Sequence, residues 1–388
     1  MAIIDWPDAL IPNSATVGIR KGGVQFRGAF NSSLQAVDTS LAERLTISCT
    51  MPQKRRDSTS AGAVEAFLFQ LAGGVNKVRA YHFGRPQPAG TLRGSPTVGV
   101  AAARGDTSIT LAGCSNGNLL VAWRSFDSTA WTKAAVTVPT PNTITDPTGA
   151  ITGDMLVENN TTAQHGVVQT VTVGASVTQF CFSVYALASS RTWVNLQLTE
   201  TTGSTTAQAF FNLAGASGTV GTVTAGANWA SVSATVSRPS PSDGWYRCTI
   251  VATKNNAATG VTCGVLSASA DAVNSFLGNS SNSIGLWGAR LDLGATPGTA
   301  APATLAAGDM IGVGNHLLQV ALPGATEDGA NAMVVPLINR IRETVTVGTA
   351  VTWNKPTSLF VAPDMAAAVT HRPGMIEGAG IDLEEAWP

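Results

Sequence analysis

Charged side chains are scarce in this chain. Only 23 lysines and arginines and 24 aspartates and glutamates occur among 388 residues, which makes 12% of the chain charged and its formal net charge −1. Soluble proteins carry about twice that fraction of charge. A chain without net positive charge has no bulk electrostatic attraction for nucleic acid or for an anionic membrane surface. We therefore expect no nucleic-acid partner.

Long apolar runs, histidines and paired cysteines are also missing. No segment approaches the roughly 18 apolar residues of a membrane span, and residues 1–12 lack the basic start and apolar run of a secretory signal. The five cysteines are an odd number without a CxxC motif, which favours buried, reduced thiols and cytoplasmic synthesis over a disulfide framework. The four histidines have no ligand partners at metal-binding spacing, so we expect neither a metal site nor a cofactor.

Recognisable catalytic patterns are absent as well. The glycines lie between predicted strands rather than between a strand and a helix, so neither a P-loop nor a dinucleotide fingerprint is supported, and no HExxH or Gly-x-Ser-x-Gly motif occurs. Glu327 and Asp328 are adjacent, as are Glu384 and Glu385, whereas a glycosidase holds two carboxylates several ångströms apart across a cleft. We therefore predict that the protein is not an enzyme.

The charged residues are distributed unevenly along the chain. Residues 119–303 contain 7 basic and 8 acidic residues, whereas the other 203 positions contain 32 charges. A turn cluster at 114–118 precedes this middle segment, and a Pro/Gly/Ala-rich linker at 294–302 ends it. A strand pattern stops near 111 and resumes at 304. The sequence therefore predicts a domain of residues 119–303 inserted into a discontinuous domain of residues 1–118 and 304–388.

The local patterns indicate a mostly β protein. The flanks contain short strand-like segments and one helix at 59–71, with Gly73 and Gly74 expected to end it. The middle contains about eight alternating segments separated by Gly, Asn, Ser and Pro clusters: 167–173, 177–186, 193–200, 207–213, 229–236, 245–253, 262–267 and 283–293. This spacing is typical of an antiparallel β-sandwich or jelly roll.

The tryptophans of the middle segment suggest a binding function. In the strand at 193–199, alternation places Trp193, Asn195 and Gln197 on one face. We expect this face to be open to solvent. An aromatic ring with two neighbouring amides on an open face suits a neutral saccharide, because sugar C–H surfaces pack on aromatic rings and amides bond hydroxyls. The alternative is structural: tryptophan often packs in cores, and the amides only keep that face wet.

Two other strands contain candidate aromatic and basic residues. Arg247 shares a strand face with Trp245, and it is either a ligand contact or a structural residue stacked on an aromatic ring. In the strand at 283–293, alternation places Trp287 and Leu293 on one face, which we interpret as a closing core strand.

Several short motifs, taken together in their order along the middle segment, resemble those of the carbohydrate-binding-like jelly rolls embedded in phage tail proteins. These motifs are 126–131 (FDSTAW), 146–149 (DPTG), 154–158 (DMLVE), 165–169 (HGVVQ), 244–247 (GWYR) and 286–291 (LWGARL). The flanks resemble distal tail proteins of long-tailed phages at 6–7 (WP), 63–74 (AVEAFLFQLAGG), 81–86 (YHFGRP), 90–94 (GTLRG) and 307–314 (AGDMIGVG).

This resemblance implies a β-rich ring or hub domain of the virion tail tip, in which an inserted sandwich presents a possible saccharide site. It also implies a homo-oligomer, usually a hexamer in that family, with tube, hub and fibre proteins as partners and a host glycan as ligand. The alternative function is purely structural, as a decoration or docking protein of the virion without glycan binding.

Overall fold

The computed structural model describes residues 2–8, 10–20, 23–27, 34–38, 43–51, 54–55, 59–71, 75–138, 140–240, 242–363, 370–372, 375–377 and 380–386. The fold is mostly β, with one helix among these residues, as predicted. In the described part of the chain, no helix combines the length and the hydropathy needed to cross a membrane. The five cysteines are free and buried, in agreement with the sequence analysis.

The chain folds as two compact units. The flanking unit comprises Met1–Cys114, Ala303–Thr326 and Ala332–Pro388, and the sandwich unit comprises Ser115–Pro302 and Glu327–Asn331. Strands that precede the sandwich unit in sequence pair with strands that follow it, for example 108–112 with 333–336, so the two ends of the chain build one unit. The insertion of a separate domain at residues 119–303 stays a prediction.

The elements before the sandwich unit are β1 (Ile3–Asp5), β2 (Ser14–Arg20), β3 (Gly23–Arg27), β4 (Leu34–Asp38), β5 (Arg44–Thr50), β6 (Lys54–Arg55), α1 (Thr59–Leu71), β7 (Lys77–Tyr81), β8 (Thr97–Val98) and β9 (Ser108–Ala112). The strands of the sandwich unit are β10 (Thr132–Ala134), β11 (Val136–Thr137), β12 (Ile144–Thr145), β13 (Ile151–Glu158), β14 (Thr162–Thr172), β15 (Gln179–Leu187), β16 (Trp193–Glu200), β17 (Thr206–Asn212), β18 (Thr219–Thr224), β19 (Trp229–Ser237), β20 (Trp245–Lys254), β21 (Gly260–Ala268), β22 (Ser275–Leu277) and β23 (Ser283–Leu293). The strands after it are β24 (Thr304–Leu305), β25 (Met310–Val313), β26 (His316–Gln319), β27 (Ala325–Thr326), β28 (Met333–Pro336), β29 (Val351–Thr352), β30 (Thr357–Val361), β31 (Thr370–Arg372), β32 (Met375–Glu377) and β33 (Gly380–Glu385).

The flanking unit contains a six-stranded sheet in the order β1-β7-β30-β33-β5-β2. Helix α1 has the predicted bounds, and Val64, Phe67, Leu68 and Leu71 are its buried residues. Their spacing of three and four places them on one face, which belongs to the same core cluster as Trp6. Gly73 and Gly74 lie outside the described residues.

Two antiparallel sheets form the sandwich unit. One has the order β10-β14-β21-β16-β17-β18 with β22 on β14, and we call it the first sheet; the other has the order β11-β13-β23-β15-β20-β19 with β12 on β13, and we call it the second sheet. Alternation along each strand places one set of side chains between the sheets. Phe182 and Ile250 of the second sheet and Leu196 of the first belong to this single buried core.

Strand β23 departs from the alternation that the sequence predicts. Residue Gly288 has a φ of +66°, and the register against β15 shifts by one residue between Ser183 and Tyr185. This β-bulge turns Trp287 away from the main core, into a second cluster with Trp123 and Trp245. Trp287 is therefore buried, as expected, but the placement of Leu293 on the same face was wrong.

Candidate functional site

The outward face of β16 in the first sheet contains three of the predicted site residues. Val194, Leu196 and Leu198 point into the main core. Trp193, Asn195 and Gln197 alternate with them and lie on the opposite face, as the period of two predicts. The structure therefore brings these three residues together on one strand.

The loop of residues 269–274, between β21 and β22, covers part of this face. Asp271 accepts hydrogen bonds from the backbone N–H of Thr222 at 2.8 Å and from its hydroxyl at 3.0 Å. Under this covering loop, Phe210 and Leu266 are 1% and 2% exposed. The expectation of an open face was wrong for this part of the sheet, because the loop shields it from solvent.

Four side chains form a hydrogen-bonded amide cluster at the edge of the covering loop: Asn195, Gln197, Gln208 and Asn274. The Gln197 Nε2 group donates to Asn195 Oδ1 at 2.8 Å and to Gln208 Oε1 at 3.2 Å. Asn274 Nδ2 donates to the same two oxygens at 3.1 and 3.3 Å. Asn195 Oδ1 and Gln208 Oε1 therefore each accept two hydrogen bonds, and these bonds fix the orientation of the four amide groups.

Asn195 is the internal member of the amide cluster. Its side chain is fully buried, and its Nδ2 donates to the carbonyl oxygen of Ala209 at 3.1 Å. It therefore cannot touch a ligand directly, which corrects its predicted exposure. Its contribution is to hold Gln197 and Asn274 in position.

Three polar atoms of the amide cluster remain available. Within the described part of the chain, Gln197 Oε1, Gln208 Nε2 and Asn274 Oδ1 bond no protein group, and they are not among the buried unpartnered atoms. They therefore face solvent as two acceptors and one donor group. This pattern is complementary to hydroxyl groups, which both donate and accept hydrogen bonds.

Threonine hydroxyls continue the polar surface beside the amide cluster. Thr199 and Thr206 pair across β16 and β17 at 2.8 Å, and Thr170 and Thr262 pair across β14 and β21 at 2.8 Å. In register, these four residues form one row across four adjacent strands. The uncovered face is therefore neutral and rich in hydroxyl and amide groups.

Arg247 lies elsewhere. It belongs to β20 of the second sheet, where its guanidinium lies 5.5 Å from the ring centroid of Tyr185 and donates to the hydroxyl of Ser183 at 3.1 Å. It also donates to the carbonyl oxygen of Gly298. The structure does not bring Arg247 to the face that contains Trp193, and its contacts are those of the structural alternative.

The pKa values of two buried carboxylates of the sandwich unit, Glu158 and Glu200, are lowered. Burial disfavours the charge on Glu158, but hydrogen bonds from Arg191 (2.8 and 2.9 Å) and from Ser267 (2.7 Å) outweigh it and lower the pKa. Burial likewise opposes the charge on Glu200, and donors that include Asn228 and the Gly203 N–H hold its pKa well below the usual range. Both carboxylates are satisfied by the protein itself.

The amide cluster contains only uncharged side chains. Among the residues that the structure describes, no three His, Cys, Asp or Glu side chains come together as a metal site. The arrangement provides hydrogen bonding to a neutral, hydroxyl-rich molecule.

Sequence reasoning missed Gln208 and Asn274. Gln208 alternates with Thr206 on β17, which is the same signal that identified Gln197 on β16. Asn274 lies in a loop without periodicity, and it joins the amide cluster only because the loop folds back over the sheet.

Comparisons with known proteins found no family model and no curated protein that matches this chain. One similar solved structure is the enzymatically active domain of tailspike protein 4 from bacteriophage CBA120, with 15% identity, a TM-score of 0.25, and coverage of 47% of this chain and 21% of that one. Another is a candidate sugar-binding protein from Bacteroides thetaiotaomicron, with 10% identity, a TM-score of 0.21, and coverage of 44% of this chain and 83% of that one. This chain therefore spans only about a fifth of the tailspike domain.

Proposed function

We propose that the sandwich unit binds a neutral saccharide at the uncovered part of its first sheet. The observation that carries this proposal is the amide cluster, whose free atoms Gln197 Oε1, Gln208 Nε2 and Asn274 Oδ1 face solvent in orientations set by their mutual hydrogen bonds. A ligand that meets fixed donors and acceptors loses less conformational freedom on binding than one that must order them. The row of threonine hydroxyls extends the contact surface.

Trp193 has a supporting role in this proposal. It is only partly buried, and a Cβ atom on Gly221 would lie 2.8 Å from its ring and 2.4 Å from Asp271. A side chain at residue 221 would therefore displace the Asp271 carboxylate or the indole, whereas glycine lets both approach the strand. The exposed part of the ring borders the site, and the rest anchors the loop that contains Asn274.

For the whole chain, we propose a non-enzymatic structural role in a phage tail tip, with the flanking unit forming a homo-oligomeric ring. The sequence resemblance supports this role, and one structural feature agrees with it. Strand β2 is the terminal strand of the six-stranded sheet, and among the described residues its second edge pairs with no strand. Such an edge is a template for association with another chain. Several copies in one ring would raise the avidity of weak sites.

Replacing Gln208 by alanine tests the saccharide site. The change removes the only free donor of the amide cluster and the oxygen that orients Gln197 and Asn274, so we expect at least about a tenfold loss of affinity, or about 1.4 kcal/mol. Binding is measured on a glycan array and then by calorimetry with the best ligand. The matched control is Gln179→Ala, an exposed glutamine on β15 of the second sheet, which should bind like the wild type.

Native-state hydrogen exchange of peptides covering β15 and β17 in both variants separates binding from folding. Equal affinities of wild type and Gln208→Ala for the same glycan would refute this site. If the wild type binds no neutral glycan, the structural decoration function replaces saccharide binding. Immunogold electron microscopy of purified particles tests the tail-tip role independently, since labelling away from the tail would exclude it.

A further inference from the structure

A cleft in the flanking unit has no role in the function proposed above. It has a volume of about 370 Å³ and lies between two chain segments that pair through the Val351 N–H and the carbonyl oxygen of Pro96. Its lining residues are Gly94, Ser95, Pro96, Thr97, Ala350, Val351, Thr352, Trp353 and Asn354. We call it the Trp353 cleft. Its volume falls within the range of small-molecule sites.

The indole of Trp353 is held in place by the protein itself. Its Nε1 donates to the carbonyl oxygen of Gly94 at 2.9 Å, and the φ of +77° at Gly94 belongs to the turn that presents this carbonyl. The Arg93 guanidinium lies 5.1 Å from the ring centroid, and its Nη1 is bonded to the carbonyls of Gly90 and Leu92. Because its orientation is already set, the ring would lose little freedom when a ligand stacks on it.

Partial exposure sets Trp353 apart from most tryptophans of the chain. Among the described residues, Trp193 and Trp353 are partly exposed, whereas the other tryptophans are buried: Trp6, Trp123, Trp131, Trp229, Trp245 and Trp287. Trp193 borders the covering loop, but Trp353 lines an open cleft. A large aromatic side chain that is fixed yet partly solvent-exposed gives up part of its burial energy, which is typical of binding surfaces.

The lining of the Trp353 cleft is neutral and combines apolar surface with unused hydrogen-bonding groups. None of its residues is ionisable. In the described part of the chain, the hydroxyls of Ser95 and Thr97 and the Nδ2 of Asn354 bond no protein group, while Asn354 Oδ1 accepts from Gln87 at 3.2 Å. Pro96 and Val351 provide the apolar part beside the indole.

We propose that the Trp353 cleft is a second binding site, specific for a small neutral saccharide. The indole offers its ring to the C–H face of a sugar, and Ser95, Thr97 and Asn354 bond the sugar hydroxyls. A proline-rich peptide is the competing ligand, because such peptides also dock on aromatic rings, but the indole N–H that could bond one of its carbonyls is already bonded to Gly94. None of the nine lining residues offers a charge to pair with a charged ligand, and the Arg93 guanidinium beside the indole has its Nη1 bonded to backbone carbonyls.

Fluorine NMR of the full chain labelled with 5-fluorotryptophan tests this site. The chain has nine tryptophans, and the resonance that disappears in Trp353→Phe identifies residue 353. The probes are glucose, galactose, mannose, N-acetylglucosamine, rhamnose and their disaccharides at up to about 10 mM, which saturates a site with a Kd near 1 mM. We expect a saturable shift of the Trp353 resonance with at least one of them.

Variants locate the response in the cleft. In a Gln208→Ala background, which weakens the sandwich-unit site, Trp353→Ala should abolish the remaining binding measured by calorimetry. Thr97→Val, which removes one hydroxyl at nearly constant volume, should weaken the affinity read from the Trp353 resonance at least about threefold. Thr344→Val, at an exposed threonine outside the cleft, and Gln208→Ala in the sandwich unit should leave the Trp353 response unchanged.

Three results would overturn the proposal: no saturable shift with any of these saccharides, equal affinity of Thr97→Val and wild type, or a shift produced only by a proline-rich peptide. Thr97→Val keeps the test decisive if Trp353→Ala fails to fold. Since Gln208 lies in the other unit, failure at one site leaves the result at the other interpretable.

Discussion

Replacing Trp287 by alanine should strongly destabilise the sandwich unit. The side chain is 3% exposed, and its ring packs edge-on against Trp123 at 5.6 Å and Tyr185 at 5.4 Å between centroids. Its Nε1 donates to Thr152 Oγ1 at 2.9 Å. Removing a buried tryptophan side chain costs about 3–5 kcal/mol, a range that already includes much of the ring packing. With a hydrogen bond worth about 1 kcal/mol, we expect a loss near the upper end of that range.

Leu293→Ala is the matched control on the same strand. Unbroken alternation would place Leu293 on the same face as Trp287, whereas the bulge at Gly288 separates their faces; Leu293, the last residue of β23, is 53% exposed. We therefore expect a change within about 0.5 kcal/mol for this variant. The contrast between the two variants compares a buried side chain of β23 with an exposed one.

Native-state hydrogen exchange of the full chain provides the assay. A chain of two units need not unfold in a single transition, so a global melting curve does not isolate the sandwich unit. Peptides covering β15 and β23 report the free energy of local opening directly. A loss below about 1 kcal/mol for Trp287→Ala, or equal losses for the two variants, would refute the buried placement of Trp287.

Two further predictions concern pH. Burial lowers the pKa of His316, and the nearby charge of Arg342 lowers it further. Both ring nitrogens of His316 are buried without a hydrogen-bond partner, and its Nε2 lies 3.5 Å from a carboxylate oxygen of Glu343. The unfolded chain therefore binds more protons below about pH 6.5, so the melting temperature should fall from pH 7 to 5; a His316→Gln variant with the same slope would contradict this. For Glu200, whose folded pKa is lowered, the stabilising effect is present above the unfolded value near 4.3 and is lost as pH falls. Glu200→Gln should cost about 2 kcal/mol or more at pH 7, and denaturant titrations from pH 5 to 2 should show the difference from wild type shrinking; a constant difference would contradict the assignment.

Features that depend on neighbouring residues were predictable from the sequence. The helix at Thr59–Leu71 and the strand at Trp193–Glu200 have the expected bounds, because three-to-four-residue and two-residue periods are local properties of the chain. The same alternation identified the side of β16 that contains Gln197. It could equally have identified Gln208, which follows the same period on β17.

Contacts between distant residues decided the rest. Asn274 is 79 residues from Asn195 and 66 from Gln208, and it completes the amide cluster only through the fold of its loop. Arg247 and Trp193 lie on strands of different sheets. No local pattern in the sequence predicts which of two sheets a strand joins. The Trp353 cleft likewise exists because residues 94–97 pair with a segment more than 250 residues later. Periodicity determines which way a side chain points along its strand, whereas only the packing of remote segments determines what lies on the other side of it.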